Sequence, residues 1–147
     1  MEALPEEILV LEKEAVVHWS PCGEGKMPIR QWAKPGAEKV VLLHGGSGSW
    51  LHWARNIPAL REQFDVYAID LPGLGDAAMC EVESDAVSAA RATRIALEQL
   101  LDSAFHVVAF SWGCTVTAMI MKDMTRRLKS VMLTGPAAVG GYPAGSQ

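Results

Sequence analysis

Val107-Val108-Ala109-Phe110-Ser111-Trp112-Gly113-Cys114 carries an apolar run through a serine and into a segment with helical character. Read as strand, sharp turn and helix, the stretch puts Ser111 at the apex of a strained junction. Bulky side chains two positions before or after such a serine would collide with neighbouring backbone. Ala109 and Gly113 meet that steric demand, and Cys114 stands where a further small residue is common. The pattern reads as a nucleophile elbow.

Upstream lies a second chemical motif, His44-Gly45-Gly46-Ser47-Gly48-Ser49, directly after the apolar run Lys39-Val40-Val41-Leu42-Leu43. Its glycines let backbone N–H groups approach a ligand closely. In acyl-transfer chemistry two such donors stabilise the developing oxyanion, each by roughly 3 kcal/mol. The expected pair is the N–H of Trp112 with that of Gly46, and Ser47 is the alternative to Gly46. A phosphate cradle would need the P-loop lysine or a dinucleotide fingerprint, and the loop has neither, so no cofactor is expected.

Around these motifs short apolar runs alternate with helical segments, the signature of an α/β domain. Residues 39–43, 66–69 and 107–110 are apolar without alternation, as in parallel strands covered on both faces, and residues 131–133 form a last strand. Residues 8–19 and 29–32 are expected to form a leading hairpin whose turn is residues 20–25. A helix is expected over residues 85–102, capped by Ser84, with Ala86, Ala90, Thr93, Leu97, Leu100 and Leu101 on one buried face. Another runs from Ser111 to about Leu128, and residues 50–63 form a helical segment broken near Pro58.

At 147 residues, half of them hydrophobic and one-fifth charged, the chain is expected to be one domain spanning residues 1–147. Its net charge of −4 offers no basic footprint for nucleic acid or an anionic membrane. No apolar run approaches the ~20 residues of a membrane span, and the acidic start lacks the bases of a secretory signal. Cys22, Cys80 and Cys114 have no pairing or metal-like spacing, so free thiols, a cytoplasmic location and no metal are expected.

His44-Gly45-Gly46, Asp70-Leu71-Pro72-Gly73-Leu74-Gly75 and Ala109-Phe110-Ser111-Trp112-Gly113 together resemble the α/β-hydrolase superfamily in order and spacing. Within it the chain is most similar to serine esterases and to the meta-cleavage-product hydrolases that cut carbon–carbon bonds. The resemblance implies a leading hairpin and then a mostly parallel sheet with helices on both faces. It implies Ser111 as nucleophile, the N–H groups of Trp112 and Gly46 as oxyanion hole, and Ser47, His44 and Trp112 beside the substrate. It also makes His44 an oxyanion-loop residue rather than a base, and Asp70 a turn anchor rather than a triad acid. A serine at the elbow speaks against the dehalogenase and epoxide hydrolase branches, which use aspartate there.

The family's triad runs Ser, then Asp or Glu, then His. After Ser111 this sequence has one acid, Asp123, within the following helix, and no histidine. His106 begins the strand that leads to Ser111 and so lies at its far end. The 147 residues are therefore expected to hold the N-terminal portion of such a domain, without its last strands, cap, triad acid and base. The expected function is hydrolysis of an ester, thioester or activated carbon–carbon bond in a small-molecule acyl substrate through an acyl-serine, with low activity for this chain alone. The alternative is a catalytically inactive binding module. An apolar edge at residues 131–133 implies self-association or a complementing C-terminal fragment.

Overall fold

The alternating apolar runs assemble into a single six-stranded sheet in the computed structural model, which describes residues 4–80 and 85–135. The elements are α1 (Glu6–Glu14), β1 (Val16–Cys22), β2 (Gly25–Trp32), β3 (Lys39–Leu43), a 3-10 turn (Trp50–Trp53) and α2 (Ile57–Leu60). They continue with β4 (Asp65–Ile69), α3 (Ala86–Leu100), β5 (Phe105–Phe110), α4 (Trp112–Met124), a 3-10 turn (Thr125–Arg127) and β6 (Leu128–Thr134). The strand order is β1-β2-β4-β3-β5-β6. The hairpin β1/β2 and the β2/β4 pair are antiparallel, and β4, β3, β5 and β6 run parallel.

Both faces of the central strands are covered, which is why their sequences do not alternate. On β3, Val41 and Leu43 join a core with Ala90, Leu97, Val116 and Ile120 of α3 and α4. Val40 and Leu42 of the same strand face the other way, into a core with Leu11, Trp32, Trp50, Trp53 and Ile57. The C-terminal ends of β3, β4 and β5 consequently emerge side by side, and the two motif loops follow β3 and β5 there.

Three details differ from the sequence reading. Residues 6–14 form a helix rather than the first part of a strand. Pro5 sets its entry, Glu6 and Glu7 occupy its first turn, where the helix dipole favours anions, and Leu11 is its buried anchor. The hairpin turn is only Gly23-Glu24, because Cys22 already pairs with Gly25 and Gly23 takes the positive φ of +56° that the reversal needs. Pro21 is tolerated inside β1 because that strand is a sheet edge. Helix α4 ends at Met124, and a 3-10 turn swings the chain so that β6 already begins at Leu128.

Helix α3 buries Ala89, Ala90, Thr93, Ala96 and Leu97, while Ala86 and Leu100 are only half-buried. The buried Thr93 hydroxyl donates to the Ala89 carbonyl at 2.8 Å, so it costs the core no unsatisfied group. Ser84, expected as the cap, lies outside the described residues; the cap is Asp85, whose carboxylate accepts from the N–H groups of Val87 and Ser88. Asp85→Ala should therefore lower unfolding free energy by about 1 kcal/mol in a denaturant titration, and Asp85→Asn, an equally good cap, should cost only a few tenths, roughly 0.3.

Candidate active site

Ser111 sits between β5 and α4 with φ 51° and ψ −111°, the one non-glycine residue with positive φ among the described residues. Such backbone costs on the order of 1–3 kcal/mol and persists only where the surroundings impose it. The imposition is visible on both sides. The Ser111 N–H donates to the Thr134 carbonyl of β6 at 3.1 Å, and the Ser111 carbonyl accepts from the Cys114 N–H at 2.8 Å. A Cβ on Gly113 would lie 2.3 Å from the Leu43 carbonyl oxygen and 2.8 Å from that of His44. Only glycine lets α4 start this close to the end of β3. Cys114, one residue on, is buried with its thiol donating to the Ala109 carbonyl at 3.4 Å, and burial pushes the thiol pKa up.

The β3 loop comes to lie against this elbow. A Cβ on Gly46 would be 3.5 Å from the Trp112 Cβ, so the two expected donors belong to neighbouring segments. Among the described residues no acceptor faces the N–H of Gly46 or of Trp112. Both residues line a cavity of about 270 Å³ whose other walls include Leu74, Met79, Cys80 and Asp85. Ser47 is exposed and stands outside that lining, so Gly46 rather than Ser47 is the loop residue at the cavity.

His44 is completely buried, which removes it from the residues that a substrate could touch. Its Nδ1 lies 2.6 Å from the Gly45 carbonyl and its Nε2 accepts the Leu71 N–H at 2.9 Å, so the imidazole is a strut between the loops after β3 and β4. Burial holds its pKa below the ordinary 6.5, with the Gly45 carbonyl and Asp70 opposing that shift only in part. Asp70 is an anchor, as read from the sequence. One oxygen accepts the Trp50 N–H at 2.8 Å; the other accepts from the Asp76 N–H and from Arg30, each at 3.0 Å. Arg30 itself was not singled out by sequence, although an arginine inside the buried strand Met27-Pro28-Ile29-Arg30 was the available signal.

The remaining titratable candidates are elsewhere. His106 lies at the opposite end of β5, bonded to Ser130 and Glu38. Asp123 is on the exposed side of α4 near Arg94. The structure thus brings together Ser111, Trp112 and Gly46 and sets no histidine or carboxylate of α4 or β6 beside them. The His52 ring abuts the loop, where its Nδ1 accepts the Gly45 N–H at 3.1 Å.

Residues 39–144 match the family described as alpha/beta hydrolase fold, and the chain belongs to that family. It is 31% identical over 115 residues to a dihydrolipoyllysine-residue acetyltransferase component of the acetoin cleaving system from Cupriavidus necator, covering 75% of this chain and 31% of that protein. It is 38% identical over 92 residues to a soluble epoxide hydrolase of a Corynebacterium species, covering 60% and 32%. A 2-hydroxy-6-oxo-6-phenylhexa-2,4-dienoate hydrolase from Rhodococcus superposes with TM-score 0.72 at 26% identity, over 85% of this chain and 47% of that one. The chain spans 31–44% of the length of these and other curated relatives it matches. Similarity along the chain does not separate the epoxide hydrolase branch, so that distinction rests on Ser111 alone.

The His44 strut has a pH consequence. Its folded pKa lies below the unfolded value of 6.5, so the unfolded chain binds the proton more readily and stability falls as pH drops below about that value. The urea midpoint should decline from pH 7 to pH 5, and His44→Gln, which cannot titrate, should show a shallower decline. Parallel pH dependence in both proteins would remove His44 as the cause.

Proposed function

We propose that the chain carries the nucleophile and the oxyanion-binding half of a serine hydrolase site acting on an ester, thioester or activated carbon–carbon bond. The observation that carries this reading is the positive φ of Ser111 at a strand-to-helix junction beside two backbone donors that meet no acceptor among the described residues. Ser111 Oγ would attack the carbonyl carbon and pass its proton to a base. The carbonyl oxygen, now anionic, would accept from the N–H groups of Trp112 and Gly46, in a position that favours it over the neutral ground state. Collapse expels the leaving group with a proton and leaves an acyl-serine, which water hydrolyses. The walls offered by Leu74, Met79 and Trp112 suit an apolar acyl group.

The acid and base of that mechanism would come from outside these 147 residues, since Asp123 is the one acid after Ser111 and no histidine follows it. Without a base the hydroxyl is a weak nucleophile, and loss of a triad member costs on the order of 10⁴-fold or more in rate. Free Cys22, Cys80 and Cys114 support a reducing, cytoplasmic setting. Among the described residues no helix is long and apolar enough to cross a membrane.

A fluorophosphonate probe tests the reading. Ser111 should label slowly in the chain alone and by several orders of magnitude faster once a segment bearing the missing Asp and His is supplied, with Ser111→Ala abolishing the signal. Absence of labelling in every condition, with ligand binding at the cavity intact, would assign the chain to a binding role instead. A second expectation concerns β6, whose outer edge is unpaired among the described residues and whose Met132 is 63% exposed. Such an edge templates pairing with another strand. Light scattering at micromolar concentration should report self-association, and a monodisperse monomer would rule it out.

A further inference from the structure

We propose that His52 is a positioning residue for the oxyanion hole, holding the Gly45-Gly46 backbone in register with the elbow through its Nδ1; this rests on the oxyanion reading above. Gly45 is buried, and among the described residues the one acceptor for its N–H is His52 Nδ1, at 3.1 Å. An N–H in that position is costly to leave unpaired, so the bond fixes the His44–Gly45 peptide, one unit before the peptide that carries the Gly46 N–H. Accepting at Nδ1 leaves the neutral ring with its proton on Nε2, so His52 cannot at the same time serve Ser111 as a base through Nδ1.

The same ring reaches the other half of the site. It meets Phe110, the residue before Ser111, edge-on with centroids 5.6 Å apart, and it meets His44 edge-on at 5.9 Å. Space for the ring is built into the loop: a Cβ on Gly48 would lie 2.2 Å from His52 Nε2, and one on Gly45 would lie 2.9 Å from the Phe110 ring. The glycines of the loop thus serve the histidine as well as the ligand. One side chain bonds the loop that carries Gly46 and packs on Phe110, the last residue of β5 before Ser111 and Trp112, so it links the two halves of the hole. His52 is itself exposed, and packing alone gives no reason for a histidine there.

His52→Asn and His52→Leu separate the hydrogen bond from the shape, because the two side chains have the same branched skeleton and Asn places an oxygen where Nδ1 stands. In the full chain, amide exchange of Gly45 should stay within about threefold of wild type in His52→Asn and accelerate about tenfold or more in His52→Leu, with similar thermal midpoints. Nitrogen shifts of the wild-type ring should report protonated Nε2 and bare Nδ1. Fluorophosphonate labelling of Ser111, in the presence of a segment bearing the missing Asp and His, should fall about tenfold in His52→Leu and recover in His52→Asn. Equal exchange in both variants, or a ring protonated on Nδ1, overturns the proposal. If wild type never labels, the hydrolase reading fails, and Gly45 exchange by itself decides whether His52 positions the loop.

Discussion

Arg30 of β2 and Asp70 at the end of β4 form an ion pair at 3.0 Å with both side chains almost fully buried. Taking two charges out of water is expensive, and such a pair repays the cost only when its remaining hydrogen-bonding capacity is used. Here it nearly is. Asp70 also takes the N–H groups of Trp50 and Asp76, while Arg30 reaches Asp76 at 2.8 Å and lies 5.4 Å over the Trp50 ring. Among the described residues the Arg30 Nε has no partner. The geometry demands a glycine too, since a Cβ on Gly75 would lie 2.5 Å from the Asp70 carboxylate.

What this pair delivers is position rather than stability. By gripping Trp50 it fixes the far end of the loop that starts at His44, and by gripping Asp76 it folds back the Leu71-Pro72-Gly73-Leu74-Gly75 turn that forms one cavity wall. His44 bonds the start of that loop to Leu71, and His52 bonds the next residue, Gly45. The backbone donor of Gly46 is therefore held from three directions before any ligand arrives. Preorganisation of this kind lets a donor act on developing charge without reorganising at the moment of reaction. Removing one member of the ion pair would leave a buried charge uncompensated, at a cost of about 3–5 kcal/mol.

Much of this was legible in the sequence because the relevant constraints are local. Lys39-Val40-Val41-Leu42-Leu43 reads as a strand covered on both faces because two cores do cover it. The strand-to-helix turn at Ser111 was legible because the demand for a small residue at 113 is set by the nearby backbone of Leu43 and His44. Helix α1 was missed because the helix runs into β1 with only Ala15 between them, so a helical stripe ending at Leu11 blended into an extended segment. The Arg30 pairing was illegible because its partner is 40 residues away and is brought close only by the antiparallel β2/β4 register, in which Ile29 faces Ile69. His44 was placed at the substrate because the motif puts it beside the glycines, whereas the fold turns its ring inward onto Leu71.

We propose that Ser111 and the N–H groups of Trp112 and Gly46 form one preorganised constellation. A crystal structure of the protein with Ser111 phosphonylated measures this directly. The geometry predicts that Ser111 keeps its positive φ and that the phosphoryl oxygen sits about 3 Å from both nitrogens. An oxygen turned toward solvent, or a Ser111 backbone relaxed to negative φ, would contradict it.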